Sequence, residues 1–434
     1  MRHHVRPQRI HLISLGCAKN LVDSERLLGR FASAGALVGV PAEMADVIVI
    51  NTCGFLSAAR DEARTAIAES LAVKSRNPAV RVLVMGCFGE LDADGIRREF
   101  PKVDGVFGLG QQRDVCEASG VPPVGEGGRL LLTPPHSAFL RVSEGCDNRC
   151  AYCLIPAIRG PFRSRSFDEV VAEGAELEAY GVKELNLIGQ DTTLYGSDLS
   201  PRTTLSMLLR RLDQLERIDW LRVLYTHPAH FDAELIDAYR SVTHLVPYVD
   251  LPLQHLDDTI LQQMGRHVTR EECLRLLERL RSQIPGMVIR TTFIVGFPGE
   301  TEAQFMTLLD DVERIRFDHL GAFAFSREPG TRAYSMDDQV PESEKLRRVD
   351  SLMLTQQRIV AEQARERIGQ TEEVLIDSYH EDSGLWVGRT AGQAPDVDSV
   401  TLVNAGDREI RAGDLIGARI QAVDGYDLVA EAES

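Results

Sequence analysis

Short apolar runs alternate with helical stretches along most of this 434-residue chain, and that alternation constrains the fold more than any other feature. From residue 8 to about 118 the order is IHLISLG, NLVDSERLLGRFASAG, DVIVINTCG, SAARDEARTAIAESLAV and RVLVMGC. Strand and helix in turn are the signature of a parallel sheet with crossover helices. Residues 119–135 (SGVPPVGEGGRLLLTPP) are rich in Gly and Pro and read as a linker. From 136 to about 335 the alternation resumes, with strand candidates AFLRVSE, ELNLIGQ, WLRVLYT, YVDLPLQ, MVIRTTFIVG and HLGAFAF. Six such units predict an incomplete β/α barrel whose site lies at the carboxyl ends of the strands. One long charged helix, opened by Pro341 near its first turn, carries this region to 370. The tail, 371–434, alternates apolar and polar residues in short runs (EEVLIDSY, LWVGRT, SVTLVNA, LIGARIQAV, DLVA) and predicts a small antiparallel β-barrel. The expected fold class is therefore α/β, with an N-terminal open parallel sheet, a central partial (β/α) barrel and a C-terminal β-barrel.

Hydrophobic residues at 44% and charged residues at 26% exclude the disordered and fibrous classes. No apolar run approaches the roughly 18 to 20 residues that cross a bilayer, so no membrane association is expected. The start, MRHHVRPQRI, has no apolar h-region, which makes the cytoplasm the expected compartment. Eight cysteines are too sparse for a disulfide scaffold in so long a chain, and a reducing cytoplasm leaves them as thiols for metal binding or catalysis. A net charge of -17 argues against coating nucleic acid through bulk electrostatics.

The residues EGCDNRCAYC place Cys146, Cys150 and Cys153 directly after the first barrel strand. Zinc usually takes four ligands in paired C-x-x-C units, whereas three closely spaced thiols leave one position without a neighbour. A 4Fe-4S cluster with one open iron fits that count better. Cys17, Cys53 and Cys87 lie far apart, yet each follows an apolar strand by one to three residues. At the carboxyl edge of a parallel sheet such thiols converge. Cys116 and Cys273 lack partners and read as small buried hydrophobes.

The central triplet resembles the radical S-adenosylmethionine superfamily, whose motif carries an aromatic residue just before the third cysteine, here Tyr152. The resemblance implies that the open iron chelates S-adenosylmethionine. It further implies that Gly189 and Gln190, closing the second strand, face the methionine moiety, and that Gly296 lets backbone approach the adenine. Two three-cysteine sets plus the tail resemble the methylthiotransferase family over nearly the whole chain. That implies an N-terminal methylthiotransferase cluster domain (8–118), a linker (119–135), a radical core with its trailing helix (136–370) and a TRAM-like barrel (371–434). Two 4Fe-4S clusters and S-adenosylmethionine are the implied cofactors, with an electron donor such as a flavodoxin-type protein. One S-adenosylmethionine methylates the sulfur and a second is cleaved to make the radical.

Branches of that family modify either an adenosine in transfer RNA or an aspartate in a small-subunit ribosomal protein. Residues 371–434 hold 14 Asp and Glu against four Arg and no Lys. Such a surface repels phosphate and favours a basic partner, as ribosomal proteins are. SLGCAKNLVDSE, PHSAFLRVSEGCDNRCAYCLIPAIRGPFRSR and GQDTTLYG are similar to the ribosomal-protein branch. That branch methylthiolates the β-carbon of an aspartate in ribosomal protein S-twelve. A transfer RNA adenosine methylthiotransferase and a non-catalytic iron–sulfur electron carrier are the alternatives. Gln254 and His255, closing a barrel strand, are candidate lining residues without an assigned role.

Overall fold

The computed structural model describes residues 6–122 and 128–433, so 123–127 of the linker and the first five residues lie outside it. The first region forms a five-stranded, wholly parallel sheet from β1 (Arg9–Ser14), β2 (Leu37–Val38), β3 (Val47–Thr52), β4 (Arg81–Gly86) and β5 (Gly105–Val106). Its order is β2-β1-β3-β4-β5. β3 is buried at every position, as a strand covered by helices on both faces must be.

β6 (Ser137–Arg141) opens the second region and is followed by a two-residue antiparallel pair, β7 (Ser143–Glu144) with β8 (Arg163–Ser164). β9 (Glu184–Ile188), β10 (Trp220–Val223), β11 (Leu245–Asp250), β12 (Val288–Val295) and β13 (His319–Ala324) then join β6 in chain order. All six expected strands are present, every pair in this sheet is parallel, and the sheet stays open between β6 and β13. The helix Glu342–Arg367 has Pro341 at its N-cap and packs along β13.

β14 (Thr371–His380), β15 (Leu385–Thr390), β16 (Thr401–Asn404), β17 (Leu415–Asp424) and β18 (Asp427–Ala432) close as β14-β15-β16-β18-β17. The barrel is not purely antiparallel, because β16 and β18 run parallel. An odd number of strands cannot alternate direction around a closed ring, so at least one parallel seam is unavoidable.

This small barrel plugs the amino end of the six-stranded sheet. Arg389 pairs with Glu184 at the start of β9 (2.8 Å), and Arg222 donates to the Ala391 carbonyl (2.8 Å). The Tyr248 hydroxyl donates to Asp398 (2.6 Å), and His136 bonds Asp377 (2.9 Å). Leu375 and Ala394 share an apolar cluster with Phe139, Trp220, Val246 and Tyr248 from the inner face of the sheet. Val22, on the helix Ala18–Ser33, reaches the same cluster from the flank. The part of the linker after residue 127 is held on that helix: Leu130 N–H donates to the Glu25 carbonyl, and Arg129 pairs with both Glu25 and Glu173.

Candidate functional site

The order β2-β1-β3-β4-β5 reverses direction between β1 and β3, and ligands of such sheets bind in the crevice at that point, beyond the carboxyl ends of the strands. Cys17 and Cys53 flank it. Cys17 is the N-cap of the helix Ala18–Ser33, Cys53 directly follows β3, and Cys87 opens the helix Cys87–Glu99. The loops touch. Gly16 has φ +94°, and a Cβ there would stand 2.8 Å from the Cys53 Cβ; one at Gly54 would stand 2.8 Å from the Cys87 carbonyl oxygen. Asn20 ties them together, donating from Nδ2 to the carbonyls of Leu15 and Thr52 (both 3.0 Å) and accepting from the Cys87 thiol at 3.3 Å.

Burial pushes the Cys87 thiol up to about 11 and raises that of Cys53. Cys17 differs. Desolvation raises its thiol too, but the Lys19 ammonium, the Asn20 N–H and the Arg159 guanidinium outweigh it and hold it below the ordinary thiol range.

In the second region the loop between β7 and β8 carries Cys146, Cys150 and Cys153. Cys146 N–H donates to the Gly160 carbonyl (3.2 Å), and Cys153 N–H to that of Cys150 (3.1 Å). Ile155 N–H donates to the Cys153 Sγ (3.4 Å), and Arg266 Nη1 lies 3.9 Å from the Cys150 Sγ. Burial pushes Cys146 up to about 11 and Cys153 up to about 12, so iron must displace protons to bind there. Each of these thiols feels its neighbours' charge, as a converging ligand set does.

Tyr152 packs against the apolar cluster that includes Ile260, Met264 and Phe297, with its hydroxyl beside Cys150 and Arg266. Gly189 lies where any Cβ would strike the Ser143 hydroxyl, and Gln190 donates to Glu144 (2.9 Å). Gly296, at φ +73°, is covered by the Lys345 side chain, and its N–H is bonded to Glu300. Gly296 is thus small for a packing reason. His255 is fully buried and its Nδ1 accepts from Asp257 N–H, while Gln254 holds a left-handed φ of +70°. Cys116 and Cys273 sit in apolar clusters.

Several residues that carry the geometry stand out only in the folded chain. Arg159, from the short helix Ile155–Arg159, reaches Asn20 Oδ1 (2.6 Å), Glu144 Oε1 (2.9 Å) and the Cys87 Sγ (3.4 Å). Arg141 joins Asp23 (2.6 Å) to Glu144 (2.9 Å). Cys87 also shares a small apolar cluster with Leu154 and Ile158, the residues just after Cys153. Cys87 of the first set and the loop that carries the second are therefore joined by an ionic and apolar seam. Asp191, His227 and His230 crowd within 4.8 Å at the ends of β9 and β10. His227 accepts the Ala229 N–H at Nδ1, which leaves its proton on Nε2. That Nε2, with Ser143 Oγ, Gln190 Oε1 and Arg266 Nε, is buried and unpaired among the described residues. Unpaired buried polar atoms beside a thiol triplet fit a polar ligand that supplies their partners.

Comparison with known proteins matches each of the three regions to a family. The Radical SAM superfamily model matches residues 140–312, the Uncharacterized protein family UPF0004 model 9–108, and the TRAM domain model 368–432. The chain is 40% identical to the ribosomal protein uS12 methylthiotransferase RimO of Trichlorobacter lovleyi, over 98% of each chain. The RimO of Pelotomaculum thermopropionicum is 41% identical over 98% of this chain and 99% of that one. That of Chlorobium luteolum is 41% identical over 100% and 99%. The chain belongs to the RimO family of radical S-adenosylmethionine methylthiotransferases. As a RimO family member it shares its fold with more distant enzymes. TsrM from Kitasatospora setae, a radical S-adenosylmethionine methyltransferase solved with cobalamin and a 4Fe-4S cluster, superposes with TM-score 0.55 at 17% identity, over 76% of this chain and 77% of that one.

Proposed function

We propose that this protein methylthiolates ribosomal protein uS12 at the β-carbon of an aspartate, using two 4Fe-4S clusters and two molecules of S-adenosylmethionine. The observation that carries the reading is the pair of three-thiol sets at the carboxyl ends of two parallel sheets, linked by Arg159. A single-cluster radical enzyme has no need of the first set. Residues 8–118 are read as the unit that supplies sulfur, 136–370 as the unit that generates the radical, and 371–434 as a docking unit, with 119–135 between the first two.

Cys146, Cys150 and Cys153 would hold one cluster and Cys17, Cys53 and Cys87 the other. When bound, the cluster and S-adenosylmethionine together supply a carbon-centred radical able to remove hydrogen from an unactivated carbon. The protein's part is to bind, orient and exclude water. Ser143 Oγ, Gln190 Oε1 and the His227 Nε2–H are free to bond the polar groups of S-adenosylmethionine, and Tyr152 walls the cluster loop from solvent. Gly189 and Gln190 remain candidate contacts at the methionine end; Gly296, covered by Lys345, is a candidate only through its carbonyl.

The exposed acids of the small barrel, among them Glu381, Asp382, Asp396, Asp407 and Glu409, favour a basic ribosomal protein over transfer RNA. An electron donor such as a flavodoxin-type protein completes the system. A ribosomal substrate argues for the cytoplasm as the place of action; no helix among the described residues is long and apolar enough to cross a membrane. Mass spectrometry of uS12 and of transfer RNA from a deletion strain, with and without the gene restored, tests the reading. The methylthio increment should vanish from uS12 and return on restoration, with transfer RNA unchanged. Loss from transfer RNA with uS12 unchanged overturns it.

A further inference from the structure

The interior of a closed β/α barrel is packed solid with side chains, but here it is open along β12 and β13. On β12 every second residue from Ile289 to Val295 is buried, whereas the inner-facing Arg290, Thr292 and Ile294 are only half-buried. On β13 His319 marks the inner face, bonding the Gly392 carbonyl of the small barrel (2.7 Å). Phe323, four residues on, lies on the same face about 13 Å nearer the carboxyl end, and it is 54% exposed.

The small barrel sends a finger into this space. Its base is pinned, with the Ala391 and Gly392 carbonyls held by Arg222 and His319, and Asp398 held by Tyr248, Arg290 and the Ala394 N–H. The tip, Pro395-Asp396-Val397, turns on Asp396, whose φ is +66°. It points towards the carboxyl ends of the strands: the Tyr225 phenol, just past β10, is pushed up by burial first and then by the charges of Cys17, Asp250 and Asp396, so Asp396 lies near that ring. Asp396 is exposed and has no hydrogen-bond or ion-pair partner among the described residues, and Val397 beside it is 47% exposed. An acid and an apolar side chain left open inside a chamber walled by Phe323 suit a side chain with an aliphatic stem and a positive head.

We propose that the finger is part of the substrate site: the target loop of uS12 lands on it, with a Lys or Arg near the modified aspartate laying its stem along Val397 and Phe323 and its charge against Asp396. The small barrel then reads the substrate from inside the six-stranded sheet as well as docking it from outside. Charge complementarity selects this occupant, since ribosomal proteins are basic. The inference rests on the uS12 reading above and names the contact that reading lacks.

The test places a photoreactive benzophenone on the reconstituted full-length enzyme at two positions, Val397→benzoylphenylalanine at the tip and Glu409→benzoylphenylalanine in the turn between β16 and β17, and maps the uS12 peptide that each captures. The tip probe should capture the peptide that carries the modified aspartate. A tip variant that expels uS12 while keeping wild-type iron content supports the contact as well. Asp396→Asn should weaken uS12 binding about threefold to tenfold, the range for one lost hydrogen bond, whereas Asp407→Asn, in the outer turn, should change it by about twofold or less. Binding of uS12 by the tip variant without an adduct overturns the proposal and leaves the uS12 reading standing. So does a tip adduct on a peptide remote from the modified aspartate, and so does wild-type affinity in Asp396→Asn. Failure of the wild type to bind uS12 at all overturns the functional reading itself, and this inference with it.

Discussion

Arg159 donates from Nη2 to the Sγ of Cys87 at 3.4 Å, so a residue of the radical region is bonded to a thiol of the N-terminal sheet. The same guanidinium holds Glu144, two residues before Cys146. One side chain thus ties Cys87 to the strand that leads into the second thiol set. Its side chain is only 2% exposed, and removing it leaves Glu144 and Asp23 with Arg141 as their ion-pair partner and takes a donor from Asn20 and Cys87. Arg159→Met should destabilise the protein by about 1.5–3 kcal/mol, as loss of a buried charge-assisted hydrogen bond does. Denaturant unfolding of wild type and variant checks this, and a loss under 1 kcal/mol means that the seam is held elsewhere.

Replacing Cys17, Cys53 and Cys87 together by Ala should remove about half of the iron from reconstituted enzyme, because two similar clusters become one. Methylthio product should disappear. Replacing Cys146, Cys150 and Cys153 should instead abolish 5′-deoxyadenosine formation. Iron analysis alongside product analysis separates the two sets, and unchanged iron in the first variant rejects the two-cluster assignment.

Glu184 is fully buried between Arg222 and Arg389, and although burial raises its carboxyl, these two guanidinium groups hold it down to about 2. A depressed carboxyl contributes stability above its ordinary value of 4.5, and the contribution fades as pH falls towards 2. Glu184→Gln should therefore cost about 3 kcal/mol or more at pH 7, and the gap from wild type should narrow steadily below about pH 4.5. Unfolding measured at several pH values gives the curve; a gap that does not change with pH means the carboxylate charge is irrelevant there.

Reversing the exposed acids Asp396, Asp407 and Glu409 to Lys should weaken uS12 binding, mostly through the association rate, and should blunt its salt dependence. Asp398 belongs to a different class. Its side chain is 1% exposed, lies 3.3 Å from Arg290 and accepts from Tyr248, so Asp398→Lys should loosen the small barrel instead. Stopped-flow binding at two salt concentrations and a thermal melt distinguish the effects.

The alternation of strands and helices is readable because the strands of the two parallel sheets centre on short apolar stretches, such as VIVI in β3, and each thiol of the first set sits just past one. Proximity between distant segments is not. Nothing in CLIPAIRG announces that Arg159 turns back to meet Cys87, since that contact depends on the packing of Leu154 and Ile158 against Cys87. Composition gives the charge of the tail but cannot say which acids point outward: Asp377 is held by His136 and by Arg389 of the same barrel, and Asp398 by Arg290.

The stopper at the amino end of the six strands has a kinetic corollary. With the amino end of the six-stranded sheet closed by Arg222, Tyr248 and their partners and its flank covered by Val22, the carboxyl face is left for ligands to reach the thiols. If S-adenosylmethionine and uS12 share that face, a seated ribosomal protein would cover S-adenosylmethionine and block its exchange. A reaction that consumes two such molecules must then finish with the first before uS12 arrives, or release uS12 between them. Pre-steady-state mixing should accordingly show uS12 added first acting as an inhibitor of its own modification.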